Sequence, residues 1–291
     1  FGNLADVILT SANYFLTTKV IIMKDSVRNF QGWLLFTPAA ILLLAFTHYP
    51  TVTTFLHSLY TNKSFIRPRR FSGIESYESM FSDPIFFKVF VNNMWLALGT
   101  IPTSIGIAII MALIVNKAIP GRGLLRMAYF TPTMLPMIAV ANIWLFFYSP
   151  EIGLIDKALS VFGVGSTNWL GTPSTVLPSI IVMTVWKEAG FFMVFYLAGL
   201  QTISPELEEA SKLEGSSRWN YFWRIQFPLL LPTTLFVLIN AFLNSFKLVD
   251  HLFVLTKGGP DNASNLILYY IYETAFSFLD ISYASALTIF L

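Results

Sequence analysis

Apolar residues run through this chain in long blocks separated by short polar connectors. Four blocks carry no Asp, Glu, Lys or Arg: Asn29 to Asn62, Val89 to Asn116, Met127 to Pro150 and Ile225 to Phe246. Each exceeds the roughly 20 mostly apolar residues that a membrane-crossing helix needs. A fifth block, about Val176 to Gln201, is apolar but for Lys187 and Glu188. A sixth, Ile281 to Leu291, is too short to cross and reads as the start of a span that the sequence truncates. The pattern therefore predicts an all-α, polytopic membrane protein with about six transmembrane helices. Residues 1–28 are apolar at helical spacing, but Asp6 and Lys19 leave little room between them. That segment reads as an interfacial amphipathic helix, with residues 29–291 as the transmembrane domain. Pro102, Pro132 and Pro136 fall inside spans, where each frees a carbonyl; a packed kink and a cavity-lining helix are both open.

Composition strengthens the membrane reading. Hydrophobic residues make up 55% of the 291 and charged residues 12%, against about 25% charged in soluble domains. That excludes a disordered chain, a nucleic-acid binder and most soluble enzymes. No Cys is present, which removes thiolate chemistry and disulfides. His48, His57 and His251 have no metal-ligand spacing, so no metal site is expected. With the N-terminus inside, nine basic residues fall in inner segments and eight in outer ones, so the positive-inside rule does not orient the chain. The outer cluster Arg67-Pro-Arg69-Arg70 spoils it.

The connector between the fourth and fifth blocks is the most informative stretch. Ser204 is a suitable N-cap and Pro205 a suitable first helical residue. Glu206, Glu208 and Glu209 suit the positive end of a helix dipole. Leu207, Ala210 and Leu213 form an apolar stripe, and Gly215 can end the helix in the left-handed region. Ser216 or Ser217 can then cap a second short helix carrying Arg218, Trp219, Tyr221 and Arg224. Physically this is a helix, a Gly turn and a helix lying outside the hydrocarbon, which an ordinary amphipathic connector would also satisfy.

The run Glu209-Ala210-Ser211, three residues, Gly215, nine residues, Ile225-Gln226-Phe227-Pro228 resembles the EAA motif of the permease subunits of binding-protein-dependent ABC importers. Ser211 and Phe227 depart from its second Ala and its Leu. Phe71-Ser-Gly-Ile-Glu75-Ser-Tyr, Val185-Trp186-Lys187, Leu197-Ala-Gly-Leu-Gln201, Leu255-Thr-Lys-Gly258-Gly259-Pro260 and Tyr283-Ala-Ser-Ala286 resemble the sugar-permease branch, the type similar to the first maltose-transporter permease. The resemblance implies several things. The loop of about 204–228 is cytoplasmic and docks on an ATPase subunit, with Glu209, Ala210, Ser211, Gly215 and Arg218 as the coupling residues. The chain pairs with a second homologous permease, two ATPase subunits and an extracytoplasmic solute-binding protein. ATP and Mg bind on the ATPase partners and no cofactor or catalytic residue is expected here. Its place is the plasma (inner) membrane of a bacterium or archaeon, with the N-terminus cytoplasmic.

Polar residues at membrane depth mark the candidate path. Asn240, Asn244, Lys247 and His251 recur at steps of four, three and four on one helical face. Asn offers donor and acceptor together to a sugar hydroxyl, and interhelical hydrogen bonding is the alternative. Asn92, Asn93 and Trp95, Asn142 and Trp144, and Lys187 are further candidates. A secondary transporter is the competing function. It would need a buried coupling carboxylate, and Glu188 alone qualifies.

Overall fold

The computed structural model describes residues 30–61, 70–117, 119–163 and 165–291. The expected helix in 1–28 and most of the basic cluster, Arg67 to Arg69, lie outside the described residues. The chain divides into two units, Phe1–His57 and Ser58–Leu291.

The described part of the first unit is the helix α1, Phe30–Ser58, whose last residue falls in the second unit. Its hydroxyls turn back onto its own backbone: Thr37 Oγ1 donates to Trp33 O and Thr51 Oγ1 to Thr47 O, each at 2.7 Å. Such bonding lets Thr sit in an apolar helix without an unpaired donor. Pro50 has no N–H for the turn before it, and the helix widens there to a π turn over Leu44–His48.

The second unit begins with a two-stranded hairpin, β1 (Tyr60–Thr61) against β2 (Arg70–Phe71), antiparallel with Tyr60 opposite Phe71. A short helix α2, Glu75–Ser82, leads into α3, Pro84–Asn116. α3 starts earlier than the charge-free block because Asp83 caps it, accepting from Ile85 N at 2.8 Å with Pro84 at the first position. It packs along α7, Pro173–Gln201, which corresponds to the fifth block. Small residues let the two approach: a Cβ on Gly99 would sit 2.6 Å from the Ile181 side chain. Buried Ala108, Ala112, Phe192, Met193 and Tyr196 fill one part of the interior, and Leu96, Val140, Trp144, Ile180 and Met183 another.

The third block is not one straight span. It forms α4, Arg122–Met134, and α5, Met137–Phe147, bent by 101° at the break between them. Pro136 supplies the cause, since it cannot donate to the carbonyl four residues back. The connector from α5 to α7 holds α6, Leu154–Ser160. Beyond α7 come α8, Pro205–Leu213, and α9 over residues 218–229, whose middle is a π turn, Phe222–Gln226. α10, Leu231–Lys247, then starts six residues later than the block predicted. It ends at Lys247, and α11, Asp250–Leu255, starts after extended backbone at Leu248. That break corrects the four-residue stripe: His251 leaves the face of Asn240, Asn244 and Lys247 and is fully buried. α12, Ile267–Tyr272, and α13, Ile281–Phe290, close the chain.

Candidate functional site: the connecting loop and the polar seam

α8 is capped as its sequence requires. Ser204 Oγ accepts from Glu206 N, and Gly215 takes φ +70°. Ser216 N donates to Ser211 O and Gly215 N to Lys212 O, a pair of bonds that closes the helix end around the left-handed glycine. Ser217, not Ser216, caps α9 by accepting from Asn220 N at 3.2 Å. Glu208 and Lys212 pair at 2.8 Å on the solvent side. The stripe Leu207, Ala210 and Leu213 is bare, with Leu213 91% exposed, and Glu209 and Arg218 are exposed beside it. Ser211, where the EAA pattern has Ala, is the one buried residue of α8. It faces inward where a small side chain is needed. Trp219, Trp223 and Phe227 pack in series on α9, edge-to-face and then tilted, with ring centroids 5.5 and 5.0 Å apart. Where α7 meets the start of α10, a Cβ on Gly199 would lie 2.8 Å from Thr233 Oγ1 and 2.9 Å from a Leu230 methyl. The loop is thus joined to two spans through a close contact.

Half-way along α7 the polar side chains form a seam between α4, α7 and α10. Lys187 Nζ donates to the carbonyls of Leu135 at 2.7 Å, Thr133 at 3.4 Å and Pro132 at 3.5 Å. These lie at the α4–α5 break. Its neighbour Glu188 lies beside Asn244 of α10. Asn240 Nδ2 donates to Phe236 O and Asn142 Nδ2 to Ile138 O, each at 2.8 Å and within its own helix. Lys247 is exposed at the end of α10. Asn92 is elsewhere: its amide donates to Asn262 O at 2.8 Å and Asn265 O at 3.0 Å. Asn93 bridges Ser245 O and Ile267 N. The structure therefore brings Lys187, Glu188 and Asn244 together, while Asn92 holds the loop before α12 and Asn93 ties α10 to the first residue of α12. Trp95 is exposed and Trp144 buried.

Two polar hubs were not anticipated from sequence. Asp83 accepts from Tyr270 OH at 2.6 Å and Tyr283 OH at 2.7 Å as well as capping α3. Burial pushes its pKa up, but those hydroxyls and the Ile85 and Phe86 N–H groups outweigh it and hold the carboxyl below its ordinary range. The Asp-Pro pair signals the cap, but nothing local signals the tyrosines. Asp156 organises the connector after α5, accepting from Ser166 Oγ (2.6 Å), Glu151 N (2.9 Å), Trp169 Nε1 (2.6 Å) and Thr167 N (3.3 Å). The Ser166 hydroxyl, then the Glu151 and Trp169 N–H groups, hold its pKa at about 2.

Residues 104–291 match the family described as the inner membrane component of binding-protein-dependent transport systems. The chain belongs to that family. The permease is 32% identical over 259 residues to the sulfoquinovosyl glycerol transport system permease protein SmoG of Agrobacterium fabrum, covering 88% of this chain and 83% of that one. It is 34% identical over 238 residues to the trehalose/maltose transport system permease protein MalF of Thermococcus litoralis, covering 81% and 80%. Among solved structures, it shares the fold of a chain of a bacterial alginate ABC transporter complexed with its alginate pentasaccharide-bound periplasmic protein. The TM-score is 0.80 at 24% identity, over 92% of this chain and 90% of that one. The permease is accordingly a multi-pass membrane subunit of an ABC importer and not an enzyme.

Proposed function

We propose that the permease forms half of the translocation path of an importer for a sugar, an oligosaccharide or a related polyhydroxy solute. The observation that carries the coupling part is the bare face of α8: a capped, self-contained helix displays Leu207, Glu209, Ala210 and Leu213 at the junction of two spans. A hydrophobic stripe with a carboxylate at its edge, unburied by its own chain, suits a groove on an ATPase subunit. On this reading Glu209, Ala210 and Gly215 are the coupling core, Ser211 seats α8, and Arg218 flanks it. The loop is cytoplasmic, the N-terminus is on the same side, and residues 1–28 form an interfacial helix ahead of the transmembrane domain 29–291. ATP and Mg belong to two ATPase partners, and a second homologous permease completes the pore. An extracytoplasmic binding protein delivers the solute.

The sugar class is supported by the names of the relatives and by the amide side chains on α10. We assign Asn240, Asn244 and Lys247 to the path, with Asn142 on the bent span as a further contact. Reconstitution in proteoliposomes with the cognate ATPase, second permease and binding protein tests the reading. ATP-dependent uptake of a sugar or glycoside is expected. Uptake driven by an ion gradient without ATP would overturn it.

A further inference from the structure

Lys187 lies fourteen residues from each end of α7 (Pro173–Gln201), about 21 Å of helix from either side at about 1.5 Å per residue. A cation at that depth needs compensating partners. Glu188, the next residue along the helix, attracts it electrostatically, but among the described residues no carboxylate forms an ion pair with it. The partners are backbone carbonyls. α4 ends at Met134, so its last carbonyls have no intrahelical donor. Pro136 has no N–H with which to serve Pro132 O, and Leu135 N reaches that oxygen only at 3.4 Å. Lys187 Nζ donates to Leu135 O, Thr133 O and Pro132 O, and Thr133 Oγ1 returns a bond to Lys187 O at 3.4 Å. Gly190, one turn further on, sets the approach: a Cβ there would stand 1.9 Å from Tyr129 O. The absent side chain at 190 and the ammonium at 187 thus clamp α7 to the same broken stretch of backbone.

We propose that Lys187 is a positioning residue that pins the break of the third span, so that α5 keeps its bent course beside the path during transport. Three features set it apart from a solute-binding lysine. Its donors are taken by main-chain oxygens, those oxygens are the ones the helix end and Pro136 leave unserved, and the glycine contact fixes the distance. The inference rests on the importer reading for its transport measurement alone.

The test uses the reconstituted importer. The chain has no Cys, so paired nitroxides on L124C in α4 and F146C in α5, both exposed positions, report the bend as an interspin distance. K187M keeps the length of the side chain and removes the donors. The expected result is a shifted or broadened α4–α5 distance and an uptake rate lowered about tenfold or more, the scale of a lost charge-assisted hydrogen bond inside a protein. K187R, which keeps donors, should restore both. P136A supplies the missing N–H and so removes the cause of the break, and P136A/K187M should move the α4–α5 distance further from the parent value than K187M alone, with no gain in uptake. A raised KM with an unchanged distance would make Lys187 a solute contact and overturn the proposal, as would K187M indistinguishable from the parent. If K187M does not assemble, K187R and K187Q are compared instead. The proposal requires the Arg variant to hold the bend better than the Gln variant, and equal behaviour overturns it. A parent complex with no ATP-dependent uptake would fail the importer reading while the distance measurement still decides the pin.

Discussion

Replacing Gly190 by Ala adds one methyl group at the tightest glycine contact among the described residues. The new Cβ would stand 1.9 Å from Tyr129 O and 2.9 Å from Tyr129 C. An ordinary carbon–oxygen contact is about 3.3 Å or longer. A backbone carbonyl inside a helix cannot rotate away, so α4 and α7 must part by about 1.4 Å. The Lys187–Leu135 bond at 2.7 Å then stretches past the range of a good hydrogen bond. Overpacking of this kind costs about 1–3 kcal/mol, and a lost hydrogen bond to a charged group about 1.5–3 kcal/mol. The two act on one contact and do not simply add, so the larger lower bound, about 1.5 kcal/mol, is the expected floor. At about 2–4 °C per kcal/mol for a chain approaching this length, the apparent Tm should fall by at least about 3 °C. The assay is thermal unfolding of the purified complex, followed by size-exclusion fluorescence. G106A is the control, because a Cβ on Gly106 meets nothing within 4 Å. It should leave Tm level or slightly raised. A G190A complex as stable as G106A would refute the close-approach argument.

Three further outcomes follow from the same geometry. Gly215→Asp should strain a residue at φ +70°, at about 1–2 kcal/mol, and Glu209→Lys should reverse the charge at the edge of the stripe. Both should leave the spans folded while ATP hydrolysis proceeds without matching uptake, and normal coupling in both would refute the docking role. Asp156→Asn should open the connector 149–172 to limited proteolysis at all pH values. In the parent chain the carboxylate, with pKa at about 2 against about 3.9 unfolded, contributes stability above pH about 4 that is lost as pH falls through about 2, so digestion rates should match from pH 5 to 8. Asn240→Leu and Asn244→Leu should weaken uptake severalfold, at about 0.5–1.5 kcal/mol per hydrogen bond, and unchanged uptake in a correctly inserted protein would make α10's amides packing residues.

What the sequence disclosed was local. The caps at Ser204 and Ser217, the turn at Gly215 and the positions of the long spans all follow from residues within a few places of one another, and the structure has them. What it hid depends on partners far along the chain. Pro132 and Pro136 left a kink open in the third block but not its size, because periodicity does not show how Pro136 will be compensated, and the compensation comes from Lys187, more than fifty residues on. Lys187 and Glu188 looked like a single interruption of one span, yet one turns to α4 and the other to α10. His251 fitted a stripe by arithmetic alone, and the extended backbone at Leu248 breaks the helix that the arithmetic assumed. The bonds of Asn92 and Asn93 to backbone were hidden because an amide that binds a solute and one that binds a carbonyl are the same in sequence.

This division between local and distant order bears on how a push could travel. The loop carrying α8 draws its stability from its own caps, its own ion pair and its own glycine turn, so it can keep its shape with its apolar face uncovered. The opposite end of α3 is tied by long-range bonds: Asp83 to Tyr270 and Tyr283, Lys88 to Asp261, Asn92 to the loop before α12, and Asn93 to Ser245 and Ile267. Those ties make these ends of α3, α12 and α13 one block. Between the two ends the helices touch through glycines that leave no slack, Gly199 against Leu230 and Thr233 and Gly190 against Tyr129. A close-packed contact transmits displacement instead of absorbing it. Force on α8 therefore passes into α7 and α10 together, and from α7 into the bent span through Gly190 and Lys187, before it meets the tied end.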